Sequence, residues 1–455
     1  MFKLYDGVLS GPQLKTAMNL NIITGAGAAM WYAVCFPGNL LNVFFANYLG
    51  ASSYDLGLLT AIVQLSAIFN LLSIVIYAHA KTRKFPWFWF NIIHRSFGFV
   101  LAGAALFAAQ GGDKGIVTKI ILAGMAINWA LAVVSTTGWW TWQTDLYTDK
   151  IRATFFGRRS AILALVSIGW FFLLVVLLDL LHQINIFYLY AAFFTVATVA
   201  GILDIIFHAT IPEPRSPDPI VLNKSTFFEP LRCVNFRQLV LGIGLWSFSA
   251  AISMPFVAPY ITSPQGIGAP NTWLGIMFAS TLIGWTIAIR IWGRIMDRFG
   301  RKGVVLIGGV SALLWLGYLF VTPQNYYFIL PVVALLNGLA GPMLILEGGN
   351  QLMLSITPGH NKLIYIAWYA TLVGLISSGG SLLGGKIKDL LADLQFPLGS
   401  VITLNGFHCI ILLSVLLCML CLPFMARISE EACSSPREIL RWMAFRIRER
   451  LPFVQ

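Results

Sequence analysis

Gly293-Arg294-Ile295-Met296-Asp297-Arg298-Phe299-Gly300-Arg301-Lys302 gathers three arginines, a lysine and an aspartate into ten residues. The sequence on either side, 272–295 before it and 303–322 after it, is apolar enough to sit in lipid. The stretch therefore reads as a water-exposed turn between two membrane helices. Positive charge alone is sufficient to orient such a turn toward one side of a membrane. The aspartate and the two glycines, in the spacing G-x-x-x-D-R-x-G-R-K, are not needed for that.

The composition of the whole chain agrees. Of its 455 residues 58% are hydrophobic and 11% are charged, whereas soluble domains carry roughly 25% charged residues. A membrane helix needs about 20 mostly apolar residues, and twelve stretches qualify: 17–48, 54–79, 86–110, 116–144, 156–181, 186–209, 237–262, 272–295, 303–322, 326–354, 362–389 and 402–427. The fold class expected is an all-α polytopic membrane protein. The net charge of +12 is spread between apolar runs rather than gathered on one face, which argues against a nucleic-acid partner. Cys418 and Cys421 lie inside the last apolar stretch with no second pair elsewhere, so neither a disulfide framework nor a metal site is expected. There is no phosphate-binding glycine loop for ATP and no nucleophile triad; no enzyme activity and no cofactor are expected.

Charge also orients the chain. With both termini and the 2–3, 4–5, 6–7, 8–9 and 10–11 loops on one side, that side holds 24 of the 30 Lys and Arg residues. The other side has Lys114, Lys119, Lys386 and Lys388, and Arg95 and Arg290 fall within helices. Both termini are thus expected in the cytoplasm and the protein in the inner or plasma membrane. Prolines 212, 214, 217, 219 and 230 break any helix between segments six and seven. The expected division is a first bundle at 1–209, a cytoplasmic linker at 210–236, a second bundle at 237–427, and a basic amphipathic tail at 428–455.

Sliding the chain against itself by 218 residues exposes a repeat. Pro37 falls on Pro255, Gly50-Ala51 on Gly268-Ala269, Leu56-Gly57 on Leu274-Gly275, Ala61 on Ala279, and Arg83-Lys84 on Arg301-Lys302. Parallel six-helix repeats of this kind are one way membrane transporters are built. The offset sets His79 opposite Asp297 and Thr82 opposite Gly300, so the acid and the glycine belong to the second half alone.

The 293–302 loop closely resembles the signature loop of the major facilitator superfamily of secondary transporters. The stretch from Asp145 to Arg159, with Arg152 followed by Phe155-Phe156-Gly157, is similar to that family's 4–5 loop. The resemblance implies two pseudo-symmetric six-helix bundles that rock about a central cavity lined by helices 1, 4, 7 and 10. It implies a cytoplasmic gate formed by Gly293, Asp297, Arg298, Gly300, Arg301 and Lys302 with Arg152 and Gly157, in which Asp297 meets helix 5 or Arg152 in the outward-open state.

Charges inside spans are costly and mark functional candidates. Glu347, in the tenth segment, is a candidate proton carrier or else a structural ion-pair member. Arg95 is expected to snorkel or to pair with Asp204, and Asp145 to pair with Arg152. Asp55 and Asp179 fit solvated caps at helix ends. On the helices that the resemblance places around the cavity, Asn39, Asn42 and Asn350 offer amides, Gln143 another, and Trp140 and Trp246 aromatic faces. This set suits a hydroxylated or aromatic small organic solute. The expected function is proton-coupled symport by a monomer embedded in the lipid bilayer. Export of amphipathic compounds and a non-transporting sensor or receptor are the alternatives.

Overall fold

The computed structural model describes residues 4–5, 11–38, 40–147, 149–215, 224–344, 348–357, 362–398, 402–430 and 433–450. Among them are twelve helices long and apolar enough to cross a membrane. In the first half these are α1 (Gly11–Tyr48), α2 (Ser53–His79), α3 (Lys84–Ala109), α4 (Lys114–Leu146), α5 (Thr154–Leu180) and α6 (Ile186–His208). The second half holds α7 (Val234–Thr262), α8 (Thr272–Phe299), α9 (Lys302–Phe320), α10 (Tyr326–Met343), α11 (Lys362–Leu390) and α12 (Gly406–Ala426). An amphipathic helix α13 (Pro436–Arg450) follows.

The expected spans are all present, with local differences that have local causes. The helix of α1 starts at Gly11 rather than at residue 17. The last span starts at Gly406 because Ile402–Asn405 instead pairs antiparallel with Gln395–Leu398, and the Asn405 side chain then caps the helix. The tenth segment is helical to Ala340 and again over Gly348–Ile356. Pro37 and Pro255 interrupt their helices as expected. The α-helical path of α1 stops at Cys35 and resumes at Leu40, and in α7 a 3-10 turn at Met254–Phe256 separates two helical pieces.

The two halves meet along α2 against α11 and α5 against α8. Small residues allow the first contact. A Cβ on Gly57 would lie 2.4 Å from the Ser381 carbonyl oxygen, and one on Gly385 2.5 Å from that of Ser53. Gly380 and Gly384 press as closely on the α7 backbone, at Phe248 and Ile252. The glycine-rich stretch 379–385 thus serves packing on two sides of α11, in the small-residue manner of membrane helices.

On the face carrying both termini, a carboxylate closes each repeat. Glu213 accepts the backbone N–H groups of Arg83 and Lys84 at 2.5 and 3.2 Å. Glu430 accepts those of Arg301 and Lys302 at 2.9 and 2.7 Å, with Arg301 Nη1 at 3.4 Å. A helix N-terminus leaves such groups unpaired and carries partial positive charge, so an anion there is favoured twice over. Burial pushes the Glu213 carboxyl up, while those two N–H groups and the Lys84 and Arg83 charges draw it back. Residues 213 and 430 are 217 apart, one short of the repeat offset, and the helices they cap start in register. Gly300 makes the turn into α9 at φ +82°, and Ser434 N–H donates to the Phe299 carbonyl beside it at 2.7 Å. The tail is docked here: Ile439 is fully buried, and Trp442 meets the Phe299 ring at 5.3 Å.

Replacing Glu430 with alanine strands two N–H groups and should cost about 1–3 kcal/mol. The expected readout is a thermal unfolding midpoint in detergent lowered by a few degrees, with Glu430→Gln intermediate. An unchanged midpoint would mean the carboxylate is not what holds this corner.

Candidate solute and proton pathway

The first half encloses a connected polar nest between α1, α3, α4, α5 and α6. Gln143 is fully buried and its Oε1 accepts from Asn21 Nδ2 at 2.6 Å. Asn21 Oδ1 in turn accepts from Arg159 Nε at 2.7 Å, and the Arg159 guanidinium lies over the Trp139 ring at 5.0 Å. His208 Nε2 receives the Trp139 indole N–H at 3.0 Å. An indole nitrogen can only donate, so Nε2 is the acceptor and the ring proton sits on Nδ1, facing Thr24 Oγ1 at 2.8 Å. Arg95 and Asp204, expected as a pair, are one: Nη2 lies 3.8 Å from Oδ2, with both side chains almost completely buried. The Arg95 guanidinium also lies 4.6 Å from the Tyr32 ring centre and 4.8 Å from that of Trp31. Arg95, Arg159, Asp204 and His208 line one cavity of about 190 Å³.

The two broken helices meet at the middle of the molecule. Asn42 Nδ2 donates to the Pro255 carbonyl at 2.9 Å, while Asn42 Oδ1 is buried without a partner. The helix leaves that carbonyl free because the residue four positions on is Pro259, which has no N–H to donate. A cavity of about 360 Å³ opens beside it, lined from both halves by Asn42, Gln64, Trp246 and Ser377 among others. Trp246 is buried against Trp315 and its Nε1 has no partner. Trp140 is half exposed and packs edge-on to Trp139. Asn350 is half buried. Asn39 and Glu347 lie outside the described residues.

Away from the termini, two further carboxylates join the halves. Asp179, at the end of α5, accepts the backbone N–H groups of Asn271 and Thr272 at 2.9 and 2.7 Å, and also the side chains of both. Asp389, at the end of α11, accepts those of Ser53 and Tyr54 at 2.8 and 2.7 Å. Ser53-Tyr54 and Asn271-Thr272 are 218 residues apart, so each half's aspartate caps the equivalent helix of the other. Sequence reasoning treated Asp179 as a solvated cap and passed over Asp389. The signal was present: an acid ends both α5 and α11, and the repeat aligns the helix starts they cap. Asn47 adds bonds to the Pro259 carbonyl and Thr262.

The expected gate residues sit on the opposite face. Asp297 is exposed and, among the described residues, makes no hydrogen bond or ion pair. Arg152 is engaged by the Thr144 and Tyr147 carbonyls of its own half at 2.7 and 2.9 Å. Asp145, expected to pair with Arg152, pairs with Arg83 instead, because Arg83 enters α3 directly beside the end of α4. Gly293 and Gly157 have open space where a Cβ would be. Arg298 stacks over Trp442 at 5.2 Å, and Arg301 and Lys302 are held by Glu430. Among the described residues, no hydrogen bond between the two bundles lies nearer the terminal face than that from Thr371 to the Ala67 carbonyl. Among the described residues, the carboxylate bonds that join the bundles thus lie on the face away from the termini.

Twelve spans in two related bundles, with broken helices at a shared cavity, define a polytopic membrane protein built as two half-units. That is the architecture which the resemblance of the 293–302 loop implies. No protein-family model matches it. It is 32% identical over 172 residues to the multidrug resistance protein MdtG of Enterobacter lignolyticus, covering 35% of this chain and 38% of that one. The MdtG of Salmonella typhi is 31% identical over 167 residues, with the same coverage. The matches thus span well under two thirds of those relatives. Among solved structures, the nucleoside transporter NupG superposes with a TM-score of 0.62 at 15% identity, over 91% of this chain and 99% of that one. A D-xylose–proton symporter gives 0.64 at 15% over 92% and 98%. A bacterial homologue of the human lysosomal transporter Spinster, inward-facing and unoccupied, gives 0.62 at 16% over 95% and 99%.

Charge-assisted bonds of the Asp179 and Asp389 kind contribute roughly 1.5–3 kcal/mol each. The Asp179→Asn, Asp389→Asn double variant should therefore open the face away from the termini. Spin labels at the exposed loop residues Gln110 and Gln324 should report a longer inter-label distance gaining population by about tenfold or more. An unchanged distance distribution would leave the clamps as ordinary caps.

Proposed function

We propose that this chain is a secondary active transporter that moves a small organic solute across the membrane by alternating access, as a proton-coupled symporter. The observation that carries the reading is the pair of equivalent carboxylate clamps, Asp179 on α8 and Asp389 on α2. They join the bundles on one face, over cavities lined from both halves. Breaking them while Asp297 engages Arg152 or the start of α5 exchanges one opening for the other. The gate role of Gly293, Arg298, Gly300, Arg301, Lys302 and Gly157 is then to hold that terminal face in two alternative arrangements.

The proton site we favour is Asp204. Among the described residues it is the one buried carboxylate within a span, and it shares its cavity with Arg95, Arg159 and His208. A carboxylate there can take a proton and release Arg95, which links protonation to the charge seen by a solute. Charge distribution supports cytoplasmic termini in a cell membrane, and a single chain contains both halves of the pathway, so a monomer is sufficient. Export of amphipathic compounds is the second reading, favoured by the likeness to proteins named for multidrug resistance.

The test is flux into proteoliposomes. Asp204→Asn should abolish accumulation driven by a pH gradient, to less than about a tenth of wild type, while preserving solute exchange at equal pH on both sides. Loss of exchange as well would assign Asp204 to structure rather than coupling. Gradient-driven expulsion instead of uptake selects the exporter, and a wild-type protein with no flux of any solute is a receptor or sensor.

A further inference from the structure

The cavity inside the first bundle carries one more positive than negative charge. Arg95 is 4% exposed, and its Nε and Nη1 are buried without a hydrogen-bond partner. Its ion pair with Asp204, at 3.8 Å, is too long to be a hydrogen bond. Arg159 brings a second guanidinium, held by the neutral Asn21. His208, whose Nε2 accepts from an indole, adds no charge. Two guanidinium groups against one carboxylate leave a single uncompensated positive charge in a largely buried site. Donors in that setting are expensive to leave unmatched, and the flat fork of a guanidinium can bind a carboxylate bidentately.

The rest of the wall sets the remainder of the ligand. Tyr32, Trp87, Trp139 and Trp140 present rings to the cavity, which suit a planar apolar body. The volume of about 190 Å³ is somewhat above the roughly 150 Å³ of an apolar cavity that takes up benzene. That is room for one ring with a short acid group. A doubly charged phosphate would leave the site net negative. Tyr32 also lines a second cavity of about 400 Å³ bounded by Phe171 of α5 and Phe278 of α8, hence by both halves. The site therefore adjoins the space between the bundles.

We propose that this cavity binds a small aromatic monocarboxylate, its carboxylate on Arg95 and its ring against Trp139 and Trp140. The proposal rests on the transporter reading and names the substrate class for it. Purified full-length protein would be titrated calorimetrically with benzoate, benzamide and inorganic phosphate. Benzoate should bind at least about tenfold more tightly than either of the others. Trp140→Glu, whose carboxylate would repel that of the ligand, should weaken benzoate about tenfold or more in protein shown to be folded by its thermal unfolding transition. Arg95→Gln, where it folds, should do the same. Equal binding of benzamide, tighter binding of phosphate, no benzoate binding by folded protein, or an indifferent Trp140→Glu would each overturn the assignment. Flux is read separately. Benzoate binding without flux supports the site and rejects transport, whereas flux of another solute without benzoate binding rejects the site and leaves transport standing.

Discussion

A helix that begins at a membrane surface presents unpaired N–H groups and partial positive charge, and here four such starts are met by carboxylates from distant parts of the chain. Glu213 and Glu430 cap α3 and α9 from within their own halves. Asp179 and Asp389 cap α8 and α2 from the other half. The chemistry is one and the consequences are two. A carboxylate from the same bundle fixes the internal geometry of that bundle, so it strengthens a rigid body. A carboxylate from the other bundle ties two rigid bodies together, so it defines a state that can be left. Among the described residues the second kind lies on the face away from the termini, so that side is tied shut.

The interface between the bundles is suited to that change. Along α2 and α11 it is made of glycines and serines against backbone, with side-chain bonds such as Ser381 to Gln64 at 3.0 Å. Contacts between backbones are close but involve little interlocking of large side chains, so sliding or tilting does not require rotamer changes throughout a core. The helix breaks at Pro37 and Pro255 fall at repeat-equivalent positions, and Asn42 of the first half bonds the Pro255 carbonyl as a cross-link.

The halves share this frame and differ in chemistry. The first contains a nest of two arginines, one of them buried, with an aspartate, a histidine and indoles. Among the described residues the second half has no buried acid in a span, and its distinctive charges cluster at 293–302 on the terminal face. The duplicated scaffold thus carries a buried polar nest in one half and the charged 293–302 loop in the other. The C-terminal helix covers part of that loop, with Arg298 over Trp442 and Ile439 buried against α9.

Hydropathy was enough to place the twelve spans, and an offset of 218 residues was enough to pair the halves, because both depend on short-range composition and register. The loop at 293–302 was recognisable for the same reason: its residues are neighbours in the chain. The Arg95–Asp204 pair was also legible, since two costly charges in otherwise apolar spans have few partners available. What the chain order could not decide is which helix start each acid would meet. Asp389 reaches a residue 336 positions away and Asp179 one 92 away, and Asp145 turned to Arg83 rather than to the nearer Arg152. Helical periodicity assigns a side chain to a face but does not say what packs on that face. The convergence of Tyr32, Arg95, Trp139, Arg159 and His208 on one cavity is likewise a product of how five helices cross, and only the tertiary structure supplies it.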